Sequence, residues 1–125
     1  MAARTDCRPS KAVAEVFRSA ELRAGELVAR YGGEEFVALI HAEEAEAVRF
    51  GEKLRASCEA RAIPHPASTV APFITISLGV AARVPDESTS ADALVLEADN
   101  ALYCAKRAGR NRLCTPESVT QLAEA

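Results

Sequence analysis

Val13, Val16, Phe17 and Ala20 recur at three- and four-residue steps, the period of a helix that buries one face. Ser10 stands before them as a cap, and Gly25 breaks the pattern. The period then changes. Leu27–Tyr31 and Phe36–Ile40 are short apolar runs on either side of a Gly32-Gly33 pair. That order predicts a hairpin, because glycine enters positive-φ turns without steric cost. From Ala42 to Ala62 the helical spacing returns, with Ala47, Phe50, Leu54 and Cys58 on one face. Glu43, Glu44 and Glu46 lie in its first turns, where the helix dipole favours acids, and Pro64 and Pro66 close it. Phe73–Ala82 is a continuous apolar, β-branched run and predicts a buried strand. A loop from Pro85 to Ser90 offers Thr89 or Ser90 as the cap of a helix over Asp92–Ala108. Leu94, Ala98, Leu102 and Ala105 share a face of that helix, and Gly109 stands at its C-terminal cap. Arg112–Cys114 predicts a last short strand, and Pro116 onward a frayed helical tail. Residues 1–9 carry no periodicity and are expected to be irregular.

The order is helix, hairpin, helix, strand, helix, short strand, without strict β-α-β repetition. It predicts an α+β fold with a mainly antiparallel sheet flanked by helices. At 125 residues the chain is one domain, organised as an irregular segment over 1–9, a folded body over 10–115 and a tail over 116–125. Hydrophobic residues at 49% and charged residues at 26% argue against disorder. The absence of Trp, with two Tyr and four Phe, predicts an aliphatic core and little surface for stacking bases. A net charge of -3 argues against a nucleic-acid polymer as partner, so any phosphate ligand must be held by local charge. Cys7, Cys58, Cys104 and Cys114 show no two-residue spacing of a metal or redox motif, and they read as reduced thiols of a cytoplasmic protein. The N-terminus has no apolar leader-like run, and no stretch approaches the ~20 apolar residues of a membrane segment.

Three constellations could carry chemistry. Arg30-Tyr31-Gly32-Gly33-Glu34-Glu35-Phe36 sets two adjacent carboxylates beside bare glycine backbone at a hairpin tip. Carboxylate oxygens suit a hard cation, and glycine lets a phosphate approach the main chain. The same residues also read as a solvated turn with two surface acids. Lys106, Arg107, Arg110 and Arg112 surround the end of the last long helix. They read either as cations favoured by a helix C-terminus or as a polyphosphate clamp. Arg23-Ala24-Gly25-Glu26 places an arginine and an acid around a glycine turn, which on its own reads as a weak charge pair.

Taken together these residues resemble a known family. Arg-Tyr-Gly-Gly-Glu-Glu-Phe resembles the signature of GGDEF domains, the diguanylate cyclases. Ile74-Thr75-Ile76-Ser77-Leu78-Gly79-Val80 is similar to the family's strand after its second helix. Ala91-Asp92, Ala98-Asp99-Asn100-Ala101-Leu102-Tyr103-Cys104-Ala105-Lys106 and Gly109-Arg110-Asn111-Arg112 are similar to its final helix and turn. The matches are collinear over roughly residues 10–114. The resemblance implies the nucleotidyl cyclase or polymerase-palm (ferredoxin-like) fold. It also implies a nucleotidyltransferase of bacterial second-messenger signalling that condenses two GTP into cyclic di-GMP with Mg²⁺ or Mn²⁺ at a homodimer interface, often behind an upstream sensory domain. By similarity Glu34 is the metal-binding and catalytic carboxylate, and Glu35 shapes the same site. Gly32 and Gly33 let the nucleotide phosphates pass, and Lys106 and Arg110 hold the terminal phosphates. Arg23 through Glu26 corresponds to an Arg-x-x-Asp site for inhibitory product, here with Glu for Asp. Lys53 lies near a second product-binding arginine, whose bidentate recognition a lysine does not reproduce.

The resemblance also implies a first strand, helix and loop carrying Asp-x-Asp-x-Phe-Lys-x-x-Asn-Asp, which the chain does not match. Asp6 falls within about a residue of the family's guanine-reading Asp once Glu21 is treated as an insertion; nothing replaces the metal-binding Asp or the Lys. The domain is therefore expected to be truncated at its first strand and helix, with little or no cyclase activity alone. The alternative is a degenerate, non-catalytic module that binds GTP or cyclic di-GMP or mediates dimerisation. The first strand of the family is central in the sheet. Its loss would leave two unpaired edges, closed by direct strand pairing, self-association or partial disorder.

Overall fold

A computed structural model describes residues 2–6, 11–32, 35–64 and 72–124. Its elements are β1 (Ala2–Asp6), α1 (Lys11–Arg18), β2 (Leu27–Gly32), β3 (Glu35–Leu39), α2 (Glu44–Ala60), β4 (Leu78–Ala81), α3 (Ala91–Arg107), β5 (Leu113–Cys114) and α4 (Pro116–Glu124). The strands form one sheet in the order β2-β3-β1-β4-β5. β2 with β3, β3 with β1 and β1 with β4 are antiparallel, and only β4 with β5 is parallel. The parallel pair needs a crossover, which α3 supplies.

β1 corrects two expectations. The segment read as irregular forms a strand, and the vacant central position is filled by it. Ala2 to Asp6 pair with Leu39 to Glu35 on one side, and Ala2 to Thr5 with Ala81 to Leu78 on the other. Neither direct pairing of the hairpin with β4 nor self-association is needed to satisfy the inner edges of β3 and β4. The physical reason is that two rows of backbone N–H and C=O groups demand a partner whatever its side chains.

Apolar periodicity decides which helix lies on which face. Val13, Val16 and Phe17 of α1 and Leu54 and Cys58 of α2 pack with Phe36, Ile76 and Leu78 in one buried cluster. The Phe17 and Phe36 rings stack with centroids 4.8 Å apart, a favourable aromatic separation. Ala38, Ile40, Ala47 and Val80 continue this layer. On the opposite face α3 lies close against β4, with Ala81 and Ala98 in contact. Gly79 makes the approach possible: a Cβ there would stand 2.0 Å from the Ala98 carbonyl oxygen. Ser90 caps α3, its hydroxyl accepting the Ala93 N–H at 3.1 Å. The tail beyond Pro116 is a nine-residue helix, and Val119 seats it on Ala101, Cys104, Ala105 and Cys114.

The expected Phe73–Ala82 strand shrinks to Leu78–Ala81. Phe73 instead bridges Pro64, and the Ile74 N–H donates to the Ile63 carbonyl at 2.7 Å. A strand extends only as far as its neighbours do, and β1 and β5 reach no further than Leu78 at that end.

Candidate functional site

The hairpin tip, α3's last turn and the α3–β5 turn converge on one end of the sheet. Arg30 pairs with Phe36 and Gly32 with Glu35, with a register shift at Tyr31 that marks a bulge beside the tip. Gly33 and Glu34 lie outside the described residues. Glu35 is half-buried at the start of β3. Asp6, the last residue of β1, is its register partner, which sets the two Cα atoms roughly 5 Å apart. An acid that sequence alignment located only loosely thus lies next to the tip.

Across the same end, Leu78 pairs with Thr5 on one side and Leu113 on the other, and its N–H donates to the Arg112 carbonyl at 3.0 Å. The turn carrying Arg110 therefore sits two strands from β1. Three strand spacings separate β3 from β5, roughly 14 Å. Lys106 is half-buried in the last turn of α3, and Arg110 is exposed with its N–H on the Ala105 carbonyl at 3.0 Å. Gly109, Arg110 and Asn111 are all left-handed, with φ of 121°, 63° and 46°. Asn111 entered the sequence reading only as part of the Gly109–Arg112 match, with no role of its own, although asparagine tolerates the left-handed region such a turn needs. Among the described residues no group of three or more His, Cys, Asp or Glu forms a metal cluster.

Arg23 and Glu26 come together at the opposite end of the β2–β3 hairpin. The Glu26 carboxylate is only 4% exposed. One oxygen accepts the Arg23 N–H at 2.6 Å and the other the His41 N–H at 2.8 Å. These two bonds, with the positive charge of Arg23 and His41 adding to them, hold its pKa below the ordinary value against the opposing effect of burial. Arg23 reaches the His41 carbonyl at 2.8 Å and Glu46 at 3.3 Å. His41 and Glu46 were not anticipated from sequence. Lys53 lines a separate groove of about 240 Å³ between α1 and α2. A second groove of about 460 Å³ contains Arg23 and Glu26, and the two share Glu21 and Phe50.

Cys58, Cys104 and Cys114 are free and buried, as expected of reduced thiols, and Cys7 is outside the described residues. Burial pushes the Cys58 and Cys114 thiols up. No helix among the described residues is long and apolar enough to cross a membrane.

Comparison with known proteins gives this geometry a family. The profile of the family described as diguanylate cyclase, GGDEF domain, matches residues 11–112. Diguanylate cyclase A of Treponema denticola is 37% identical over 102 residues, covering 81% of this chain and 26% of its own length. Diguanylate cyclase DgcP of Pseudomonas aeruginosa is 43% identical over 93 residues, 74% of this chain and 13% of its own. The chain thus spans about a quarter or less of these curated relatives. The GGDEF domain of DgcB from Caulobacter crescentus, solved in complex with c-di-GMP, superimposes with a TM-score of 0.77 at 27% identity, covering 93% of this chain and 77% of that one. A Pseudomonas aeruginosa TpbB fragment comprising only the GGDEF domain gives 0.62 at 26% identity, covering 99% and 81%. The α+β sheet with helices on both faces is the architecture shared with these domains. Since the matched segment runs from α1 to the turn after α3 and includes the hairpin between them, the chain belongs to the GGDEF domain family of diguanylate cyclases.

Proposed function

We propose that this chain binds GTP with a divalent cation and acts as one half of a diguanylate cyclase, condensing two GTP into cyclic di-GMP when two such domains meet. The observation that carries this reading is the convergence of the hairpin tip with the Lys106–Arg110 segment at one end of the sheet. Gly32 and Gly33 leave room for phosphates against the backbone. Lys106 supplies a compact charge and Arg110 a planar fork for the terminal phosphates. In the reaction each 3′-hydroxyl attacks the other nucleotide's α-phosphate, a P–O bond forms and pyrophosphate leaves. Residues that hold two nucleotides in that mutual orientation lower the barrier largely by positioning.

The donor set fits a hard cation such as Mg²⁺ or Mn²⁺. Glu34 with Glu35 supplies carboxylate oxygens at the tip, and Asp6 stands at the adjacent position of β1. Such an ion, when bound, neutralises charge developing on the phosphoryl oxygens. Product binding is proposed around Arg23, Glu26 and Lys53. There each Glu26 oxygen already accepts one backbone N–H, so a guanine would take a remaining lone pair.

β1 carries one acid and no lysine, which favours a second reading, a non-catalytic module that retains ligand binding. Calorimetric titration with GTP and Mg²⁺, followed by chromatography of the reaction for cyclic di-GMP, separates them. Micromolar GTP binding lost in Glu34→Ala and Lys106→Ala is expected. Product formation in addition supports the cyclase, and binding without product supports the module. No heat with GTP sinks the cyclase, and no heat with GTP or with cyclic di-GMP sinks the ligand-binding module as well.

A further inference from the structure

Three successive left-handed residues are unusual outside glycine, because an L side chain crowds the following carbonyl. Gly109 adopts this conformation freely, but Arg110 and Asn111 do so only where surrounding contacts over-determine it. Those contacts are visible. The Asn111 N–H donates to the hydroxyl of Ser77 at 3.2 Å, and Ser77 is only 3% exposed just before β4. The Asn111 side-chain oxygen accepts from Arg55 of α2 at 2.9 Å, while its amide nitrogen donates to Glu59, one turn further along the same helix. Arg112 closes the turn from the other side, its Nε donating to the Arg110 carbonyl at 3.1 Å.

Arg55 is itself fixed. Its side chain is 17% exposed, and Nε binds Glu52 at 2.8 and 3.0 Å while a terminal nitrogen reaches Glu52 at 2.5 Å and the other Glu59 at 3.3 Å. Glu52–Arg55–Glu59 alone would be an ordinary helix-surface set of little consequence. The contact with Asn111 is different. It crosses 56 residues, and it uses the same terminal nitrogen that reaches Glu59. A guanidinium fork can hold Glu52 and Asn111 together, whereas a lysine ammonium is a single point.

We propose that Arg55, Glu59 and Asn111 are positioning residues for Arg110: α2, through the Asn111 side chain, sets the left-handed turn that presents the Arg110 guanidinium to the nucleotide's terminal phosphates. The role rests on the reading of Arg110 as a phosphate ligand given above. The turn itself does not.

Two measurements on the full chain separate the two. The first needs no ligand. Amide ¹⁵N relaxation and hydrogen exchange at Arg110 and Asn111 are compared in wild type, Arg55→Lys and Asn111→Gly, with thermal unfolding as the control for folding. Asn111→Gly tolerates the backbone angle but removes the side chain, and Arg55→Lys keeps the charge but not the fork. Faster exchange and lower order at both amides are expected in each variant. Unchanged amides overturn the proposal. The second is calorimetric titration with pyrophosphate and Mg²⁺. Arg55→Lys and Asn111→Gly are expected to weaken pyrophosphate about tenfold in the wild-type background and to change nothing further in Arg110→Ala, the non-additivity of residues acting on one group. Additive losses overturn the positioning role while leaving Arg110 as a phosphate ligand. If Arg110→Ala binds pyrophosphate like wild type, or wild type binds none, the phosphate reading falls and the positioning role with it; the amide data then still report whether α2 sets the turn.

Discussion

Replacing Gly79 with alanine puts a methyl carbon 2.0 Å from the Ala98 carbonyl oxygen, 2.3 Å from the Leu102 nitrogen and 2.9 Å from the Leu102 Cα. All three are backbone atoms of α3, so no rotamer change relieves them. A tolerable carbon–oxygen approach is about 3.3 Å, so the helix must retreat by about 1.3 Å. A gap of that size forfeits a quarter to a half or more of each van der Waals contact along the seam, and the seam includes Ala81 and Ala98, both fully buried. Overpacking a core typically costs about 1–3 kcal/mol, and a clash with backbone puts this case at about 3 kcal/mol or beyond. With an m-value of about 2 kcal/mol per molar urea, the midpoint followed by circular dichroism falls by about 1.5 M. Gly51→Ala is the matched control. Its Cβ would meet the Leu113 Cδ1 at 2.6 Å, a side-chain tip that can turn aside, with Val80 and Leu78 at 3.4 and 3.5 Å. The gain of about 1 kcal/mol in helix propensity offsets that adjustment, leaving Gly51→Ala within about 1 kcal/mol of wild type. Equal losses in the two variants, or a loss below about 1 kcal/mol in Gly79→Ala, would refute the close seating of α3. The same seating fixes where α3 ends, and with it the placement of Lys106 and the Arg110 turn at the hairpin end of the sheet.

Further outcomes follow from single contacts. Ser90→Ala removes the acceptor of the Ala93 N–H and should lower stability by about 1 kcal/mol in the same urea assay. The Glu26 pKa lies below the ordinary carboxylate value, so its stabilisation is fully present above that ordinary value and lost as pH falls through the lowered, folded-state one. Glu26→Gln, whose one oxygen cannot serve both N–H groups, should be less stable than wild type at pH 7. The two urea midpoints should converge as pH falls through that lowered value, and parallel pH profiles would count against the arrangement. Glu52 and Asp86 are also shifted down, the first by Arg55 and the second by Ser88, and their acid losses remain in both proteins. Cys58, Cys104 and Cys114 are buried, so a thiol reagent should label them slowly in the native state and rapidly in urea; fast native labelling of Cys58 or Cys114 would contradict their raised thiols.

What the sequence disclosed was local. α1 and α3 are legible because their buried positions fall at helical spacing, and the tip because Gly-Gly between two apolar runs specifies a hairpin. The Glu34–Glu35 pair and the Lys106–Arg110 pair are each legible as a motif, because the members of each stand within a few residues of one another. β1 is not, since Ala-Ala-Arg-Thr-Asp has no alternation; its strand character comes from β3 and β4 on either side. Phe73–Ser77 reads as strand by composition yet pairs only through the Phe73–Pro64 bridge and the Ile74 bond to Ile63, and its buried Ile76 serves the α1–α2 layer. The Glu26 bond to His41 spans 15 residues and the Arg55 bond to Asn111 spans 56. Neither leaves a periodic trace, because a hydrogen bond between distant segments constrains residue type at only two positions.

The register of β1 separates two demands on one strand. In an antiparallel ladder the side-chain period is two, so a slip of one residue turns every side chain of the strand to the other face and sets Thr5, not Asp6, against Glu35. The backbone demand of β3 and β4 is met in either register, since it concerns only N–H and C=O groups. Five residues therefore suffice to close the sheet, but only one register sets an acid beside the hairpin tip. Closing the sheet and placing an acid at the hairpin end are separate requirements on the same strand, and within β1 only Asp6 meets the second. A strand this plain can thus complete the sheet, while the placement of its one acid depends on a single register position.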